Sequence, residues 1–427
     1  MSRELASLTL RAEKLLYIRA ALVKALGAIS AFFLTVVVAK VLNSEATGMF
    51  MLTYTILLVC VAIFRFGMDG IILRELSGNI EAGKPLHNTA LIFTFLTSSI
   101  LALIFFYYSD FIAIKVFSKP QLSTLMSTML WALPFMTFYT LIGVGYQSVH
   151  KVEWFVFFQN LGVSSVFITL ILFVWWNLNS SMDGGQAALA FLVSALFMFL
   201  ISLKWFFTNR AAPDFNRRSL RRLFSSSKNI FLSEVMVQSV AWSGVIVGGI
   251  WLSASDVAYL TISQRTAMLI SFILMVVNMV LPVRIARLWS EKKIDEIQKV
   301  SNACCRSLLL VVVPLCIVMI LMSDFIMNFF GSDYAGATLV FSILVVGQAV
   351  GVSLGPVGFL LLMTENEKPY RNATLVSGIV SVVLVVILTR EFGVIGSACA
   401  VAFSTAFGKV LLAAQVRQTL GFWPFIK

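Results

Sequence analysis

The residues of this 427-residue chain that are equipped for chemistry are few, and most are cations set in apolar sequence. Arg265 stands in Ser263-Gln264-Arg265-Thr266, a polar patch flanked by apolar residues. Its planar fork of donors suits bidentate contact with a phosphate; the plainer use is an ion pair between helices. Lys24 and Lys409 are lone ammonium groups in apolar runs, able to meet an anion or to snorkel to an interface. Arg65 and Asp69 stand four apart, a spacing that lets them pair on one helix face. Glu234 is the isolated carboxylate best suited to exchange a coupling cation, with Asp69 a second candidate; a satisfied structural acid is the plainer reading of Glu234. The amides of Gln264, Gln238, Asn278, Gln159, Asn160 and Gln348 suit sugar hydroxyls, or more plainly hydrogen bonds between helices.

Other chemistries lack their parts. The two histidines, His87 and His150, fall in or beside predicted loops and form no catalytic constellation. There is no Gly-rich loop ending in Lys-Ser or Lys-Thr, so ATP is not the direct driver. The five cysteines (Cys60, Cys304, Cys305, Cys316, Cys399) all lie in apolar segments, without zinc spacing or a disulfide framework. The reading is therefore of a protein without cofactor or metal, drawing energy from an H+ or Na+ gradient or from removal of product.

Elements that hold such residues are dictated by composition. The chain is 59% hydrophobic and 12% charged, against about 45–50% and about 25% in soluble proteins. That excludes a soluble enzyme and a disordered chain. With about 20 apolar residues per crossing, twelve spans are expected, near 16–39, 46–68, 88–108, 124–147, 154–176, 187–207, 229–251, 257–283, 303–323, 336–362, 373–389 and 394–416. With both termini cytoplasmic, the outer loops carry only Lys40, Lys115, Lys119 and Arg390 of the 32 Lys and Arg. The formal net charge of +12 is then a marker of topology rather than of nucleic-acid binding. Met1 to Leu16 is polar and basic without a cleavage-site pattern, so the first span is expected to target and anchor the chain.

The halves repeat. Ser109-Asp110-Phe111-Ile112 recurs as Ser323-Asp324-Phe325-Ile326, and Gly185 aligns with Gly396 at the start of each sixth span. Gly48-Met49-Phe50 aligns loosely with Val257-Ala258-Tyr259. Six spans per half give both halves the same orientation. The expected fold is an all-α integral membrane protein of about twelve helices, in two parallel six-helix lobes around a central cavity. The divisions are 1–207 for the N-terminal lobe, 208–228 for a basic cytoplasmic linker and 229–427 for the C-terminal lobe. Pro134, Gly143 and Gly145 in the fourth span, and Gly351, Gly355, Pro356 and Gly358 in the tenth, predict a breakable helix in each lobe.

Several short motifs carry a resemblance that runs almost the length of the chain. In the first half they are Arg19 to Lys24, Val38 to Leu42, Glu45 to Phe50, and Phe66-Gly67-Met68-Asp69-Gly70 with Arg74-Glu75. In the second they are Phe330-Gly331-Ser332-Asp333-Tyr334, Gly347-Gln348, Asn366-Glu367-Lys368 and Phe392 to Ala398. In order and spacing these resemble the polysaccharide flippases of the multidrug/oligosaccharidyl-lipid/polysaccharide exporter superfamily, most of all the O-antigen branch. The resemblance implies a substrate, an oligosaccharide repeat unit on undecaprenyl pyrophosphate, moved from the inner to the outer leaflet of the bacterial cytoplasmic membrane. It also implies membrane lipids as surroundings, and polysaccharide polymerase and chain-length machinery as partners. Such a substrate needs a hydrated cationic cavity, which singles out Arg265, Lys24, Arg65 and Lys409. Buried charges cost about 2.5–3.5 kcal/mol each on insertion scales, so their presence reads as functional. A cation-coupled multidrug exporter shares the fold, but would be expected to bury more carboxylates. A membrane oligosaccharide polymerase would be expected to carry a larger outer domain.

Overall fold

The computed structural model describes residues 25–424 apart from 79, 150, 178–181 and 209–210. Among these residues every regular element is helical. In hydrocarbon no water is on hand to satisfy backbone N–H and C=O groups, so a spanning segment satisfies them internally as a helix. The first described helix, α1 (Ala25–Val41), is apolar but shorter than a full span, and α2 (Ser44–Phe64) is long enough for a single crossing. A short α3 (Met68–Gly78) follows, and α4 (Ile80–Phe111) runs through one π-helical turn to Val116. The fourth crossing is a bent pair, α5 (Leu122–Met129) and α6 (Ala132–Ser148), at 43°. The fifth joins α7 (Val152–Val156) to α8 (Gly162–Asn177) through a π-helical segment, Phe157–Leu161. The first half ends with α9 (Gly184–Thr208).

The second half opens with α10 (Arg217–Ile246). The expected linker at 208–228 is thus helical from Arg217 on and continuous with the seventh crossing. Residues before it are tied to α4: Asn88 Nδ2 donates to Ala211 O at 2.9 Å. Next come α11 (Ala254–Ala267) and α12 (Ser271–Ser290), joined by one 3-10 turn, then α13 (Ile294–Leu321) and α14 (Ser323–Phe330). The tenth crossing is α15 (Thr338–Ser353) with α16 (Val357–Met363), broken at Gly355 (φ +73°) and Pro356. The fourth breaks at Leu130–Trp131, a turn ahead of Pro134, so the two breaks do not fall at equivalent places.

The last element, α17 (Glu367–Leu420), has 54 residues. At 1.5 Å per residue that is about 80 Å, far beyond a hydrocarbon layer of about 30 Å. Gly393, at φ 58° and ψ −138°, turns the chain back on itself, giving two antiparallel arms. The hairpin is tight: a Cβ on Gly396 would lie 1.9 Å from Leu388 O. Among the described residues eight helices are long and apolar enough to cross a membrane, and the bent pairs bring these to ten. Counting the arms of α17 separately and adding α1 gives the twelve crossings expected.

The repeat reappears as repeated contacts. Asp110 Oδ1 accepts from Ser123 Oγ at 2.5 Å, and Asp324 Oδ1 accepts from Thr338 Oγ1 at 2.8 Å. The N-caps of α2 and α11 also match: Asn43 Oδ1 accepts from Ala46 N–H, and Ser253 Oγ from Asp256 N–H. Each half packs on itself, α6 with α4 and α9 in the first, and α10 and α15 with α17 in the second. Between halves the main contact is α2 against α11. Gly48 makes it possible, since a Cβ there would lie 1.7 Å from Ala254 O.

Candidate functional site

Close approach of α2 and α11 decides the surroundings of Arg265. Its guanidinium carbon lies 4.9 Å from the Tyr54 ring centroid on α2 and 5.2 Å from the Trp242 ring on α10. The cation is thus held between one ring from each half. Cation–π contacts contribute about 0.5–2 kcal/mol, which offsets part of its burial. Two of its nitrogens stay free: Arg265 Nε and Nη2 are buried and make no hydrogen bond among the described residues. No carboxylate forms an ion pair with it there. A buried donor without an acceptor loses its hydration without replacement, so the edge of this guanidinium is primed for an anion.

Arg265 lines a cavity of about 450 Å³ between the halves. Ala28, Ala31 and Phe32 of α1 and Phe155 and Gln159 of the fifth crossing form one wall; Trp242 of α10 and Met268 and Phe272 beside α11 form the other. A second cavity of about 440 Å³ lies within the second half, lined among others by Gln264, Asn278, Gln348, Tyr370, Ser377 and Lys409. The two adjoin at Met268, which lines both.

The sequence candidates therefore do not converge on one point. Arg265 faces the cavity between the halves, whereas Gln264, Asn278 and Lys409 meet in the second cavity. Arg65 and Asp69 do pair, at 2.6 Å, but across the turn between α2 and α3 rather than along one helix face. Phe66 and Gly67, both with positive φ, make that turn. Glu234 accepts from Gln238 Nε2 at 2.7 Å, one helical turn on. Gln159 Nε2 donates to Thr140 O at 3.4 Å, and Gln348 Oε1 accepts from Ser271 Oγ at 3.1 Å. Lys24 and the side chain of Asn160 lie outside the described residues. Two site residues escaped the sequence reading. They are Trp242 and Tyr54, neither of which is among the cations and amides singled out above. The repeat does not flag them either: the alignment of Gly48 with Val257 sets Tyr54 against Ser263, two positions before Arg265.

The halves are closed at one end, where α2 and α11 begin. Ser44 Oγ and Ser255 Oγ are 3.4 Å apart, and Lys40 lies over the Phe329 ring at 4.8 Å. Lys119 donates to Gly249 O at 2.8 Å across the halves, and burial there lowers its pKa. Among the described residues no cluster of His, Cys, Asp and Glu has the makings of a metal site.

The sequence matches the profile of the polysaccharide biosynthesis protein family over residues 17–289, and that of the MatE family over 230–387. The chain belongs to the polysaccharide biosynthesis protein family. It is a multi-pass membrane protein of the exporter superfamily anticipated from its motifs. A Haloferax volcanii protein named "Probable low-salt glycan biosynthesis flippase Agl15" is 31% identical over 237 residues, a match spanning 54% of this chain and 49% of that protein. The match thus covers about half the length of this relative. Among solved structures, the lipid II flippase MurJ in an inward closed conformation aligns with TM-score 0.74 at 15% identity, over 94% of this chain and 87% of that one. An inward-facing multidrug resistance MATE transporter aligns with TM-score 0.75 at 13% identity, over 92% and 94%. At these identities the likeness to family structures is one of fold, two lobes of helices around a cleft.

Proposed function

We propose that this family member is a flippase for oligosaccharide repeat units linked through pyrophosphate to a polyprenyl lipid. In a bacterial cytoplasmic membrane that lipid is undecaprenyl, and the glycan is an O-antigen or related surface polysaccharide. Carriage runs from the inner to the outer leaflet by alternating access, with both termini cytoplasmic. The observation that carries this reading is Arg265, an unpaired cation with free N–H groups in a cavity walled by both halves. A pyrophosphate supplies what that guanidinium lacks, while the polyprenyl tail stays in lipid. In the proposed topology the closed end bearing Ser44 and Ser255 faces outward, so this state loads from the inner side. Glu234 is the proposed exchange site for a coupling H+ or Na+.

Deleting the gene and scoring surface glycan tests the proposal. Loss of long-chain glycan with lipid-linked repeat units accumulating in the inner leaflet is expected. Arg265→Ala is expected to reproduce that loss at unchanged protein abundance; full export by this variant would remove Arg265 from the site. The MatE match over 230–387 favours one other reading, cation-coupled drug export. Normal glycan with new drug sensitivity after deletion would decide for it.

A further inference from the structure

The second cavity has no task if Arg265 alone holds the pyrophosphate. It lies inside the second half, enclosed by α10, α11, α12, the tenth crossing and both arms of α17. Lys409 enters it from the second arm of α17 and has no ion-pair partner among the described residues. The carboxylate on neighbouring α10, Glu234, is held by Gln238. Two acceptors belong to residues that line the same space: Gln264 Oε1 and Asn278 Oδ1 are buried and accept no hydrogen bond among the described residues. Gln264 itself is 1% exposed, with its Nε2 donating to Ala241 O. An ammonium offers three donors and no acceptor, so it calls for an anion; the amide oxygens call for hydroxyl donors. A phenol, Tyr370, and a hydroxyl, Ser377, complete a lining that is otherwise largely apolar.

The internal repeat shows that this cation is a departure. At the 211-residue offset that aligns Gly185 with Gly396, Lys409 corresponds to Met198. Met198 is fully buried and packs into the first half so closely that a Cβ on Gly162 would lie 2.3 Å from its Cε. One half fills this position with a thioether; the other keeps a cavity and a charge. Retaining an unpaired charge in a membrane interior costs about 2.5–3.5 kcal/mol on insertion scales, so the cavity's chemistry is worth that cost.

We infer that the second cavity is a glycan subsite for a sugar bearing a carboxylate. The carboxylate meets Lys409 and ring hydroxyls donate to Gln264 Oε1 and Asn278 Oδ1. Geometry links this subsite to the first. Gln264 and Arg265 are successive residues on one helix, about 100° apart in direction, so each faces a different cavity. Met268, one turn on, borders both. A molecule with its pyrophosphate on Arg265 thus has its glycan directed past Met268 toward Lys409.

The inference rests on the flippase reading, and one experiment separates the two. The full chain is reconstituted in lipid vesicles and given two synthetic polyprenyl-pyrophosphate disaccharides, identical except that one carries glucuronic acid where the other carries glucose. Charged hydrogen bonds of this kind correspond to about tenfold in rate or affinity, so the wild type is expected to move the acidic lipid about tenfold faster. Lys409→Met should erase that preference and Lys409→Arg should keep it. Asn278→Asp, which sets a carboxylate in the cavity without removing Lys409, should also lower it. Arg265→Ala should slow both lipids alike. Equal rates for the two lipids in the wild type, or an equal fall on both in Lys409→Met and Asn278→Asp, would overturn the subsite while leaving the flippase standing. Movement of neither lipid by the wild type would overturn the flippase reading itself.

Discussion

A cation can be buried in this fold because two rings, not a carboxylate, receive it. Tyr54 and Trp242 stabilise the guanidinium of Arg265 while its Nε and Nη2 make no hydrogen bond among the described residues, so those two donors stay available. A carboxylate partner would have neutralised it, as Asp69 does by pairing with Arg65. Replacing Trp242 with Leu keeps the apolar wall and removes one face of the clamp. The loss of about 0.5–2 kcal/mol in cation–π interaction predicts severalfold weaker binding of inorganic pyrophosphate by purified protein, measured calorimetrically. Arg265→Lys should lose more, since a point charge cannot present two parallel donors. Unchanged pyrophosphate binding in both variants would show that the clamp holds the helices and not the ligand.

Helices place these residues through a few glycine contacts. Gly393 adopts φ 58° and ψ −138°, outside the ordinary regions for side chains with a Cβ. Nothing lies within 4 Å of a Cβ built there, so a substitution meets no clash and the cost is in the backbone alone. Gly393→Ala should therefore destabilise the hairpin of α17 by about 1–3 kcal/mol, seen as a lowered thermal midpoint of the protein in detergent. A midpoint equal to that of the wild type would mean that the turn relaxes freely. Gly48 acts differently: its φ is ordinary and the constraint is the backbone of α11 against it. Gly48→Leu must part α2 from α11, and Tyr54 from Arg265, so export should fall with stability.

At the scale of the whole molecule, one end is closed and the cavity beside Arg265 lies between the halves. Alternating access requires that closure to open. Ser44 and Ser255, 3.4 Å apart at their hydroxyls, are suited to a reporter. Oxidation of a Ser44→Cys/Ser255→Cys double variant should form a disulfide and stop lipid transport in vesicles, with reduction restoring it. The single variants should transport under both conditions. Full transport by the oxidised, fully cross-linked protein would show that the halves do not separate at this end.

What was legible in the sequence is what depends on local composition and chain order. Twelve apolar runs imply twelve crossings because hydrocarbon admits only internally bonded backbone. The matched Ser-Asp-Phe-Ile motifs imply two like halves because each Asp makes the same contact to the next crossing. Arg265, Gln264, Asn278 and Lys409 stood out because charge and amides are costly in such runs. The sequence could not show that Arg265 and Lys409 serve different cavities, since which face of a helix meets which space depends on its neighbours. Nor could it show that Tyr54 and Trp242 clamp the guanidinium: those residues come from different helices, and Gly48 must first let α2 and α11 touch. Membrane segments are fixed by transfer from water to lipid, which each stretch undergoes by itself. The site is fixed by contacts between distant segments, and only the tertiary structure decides those.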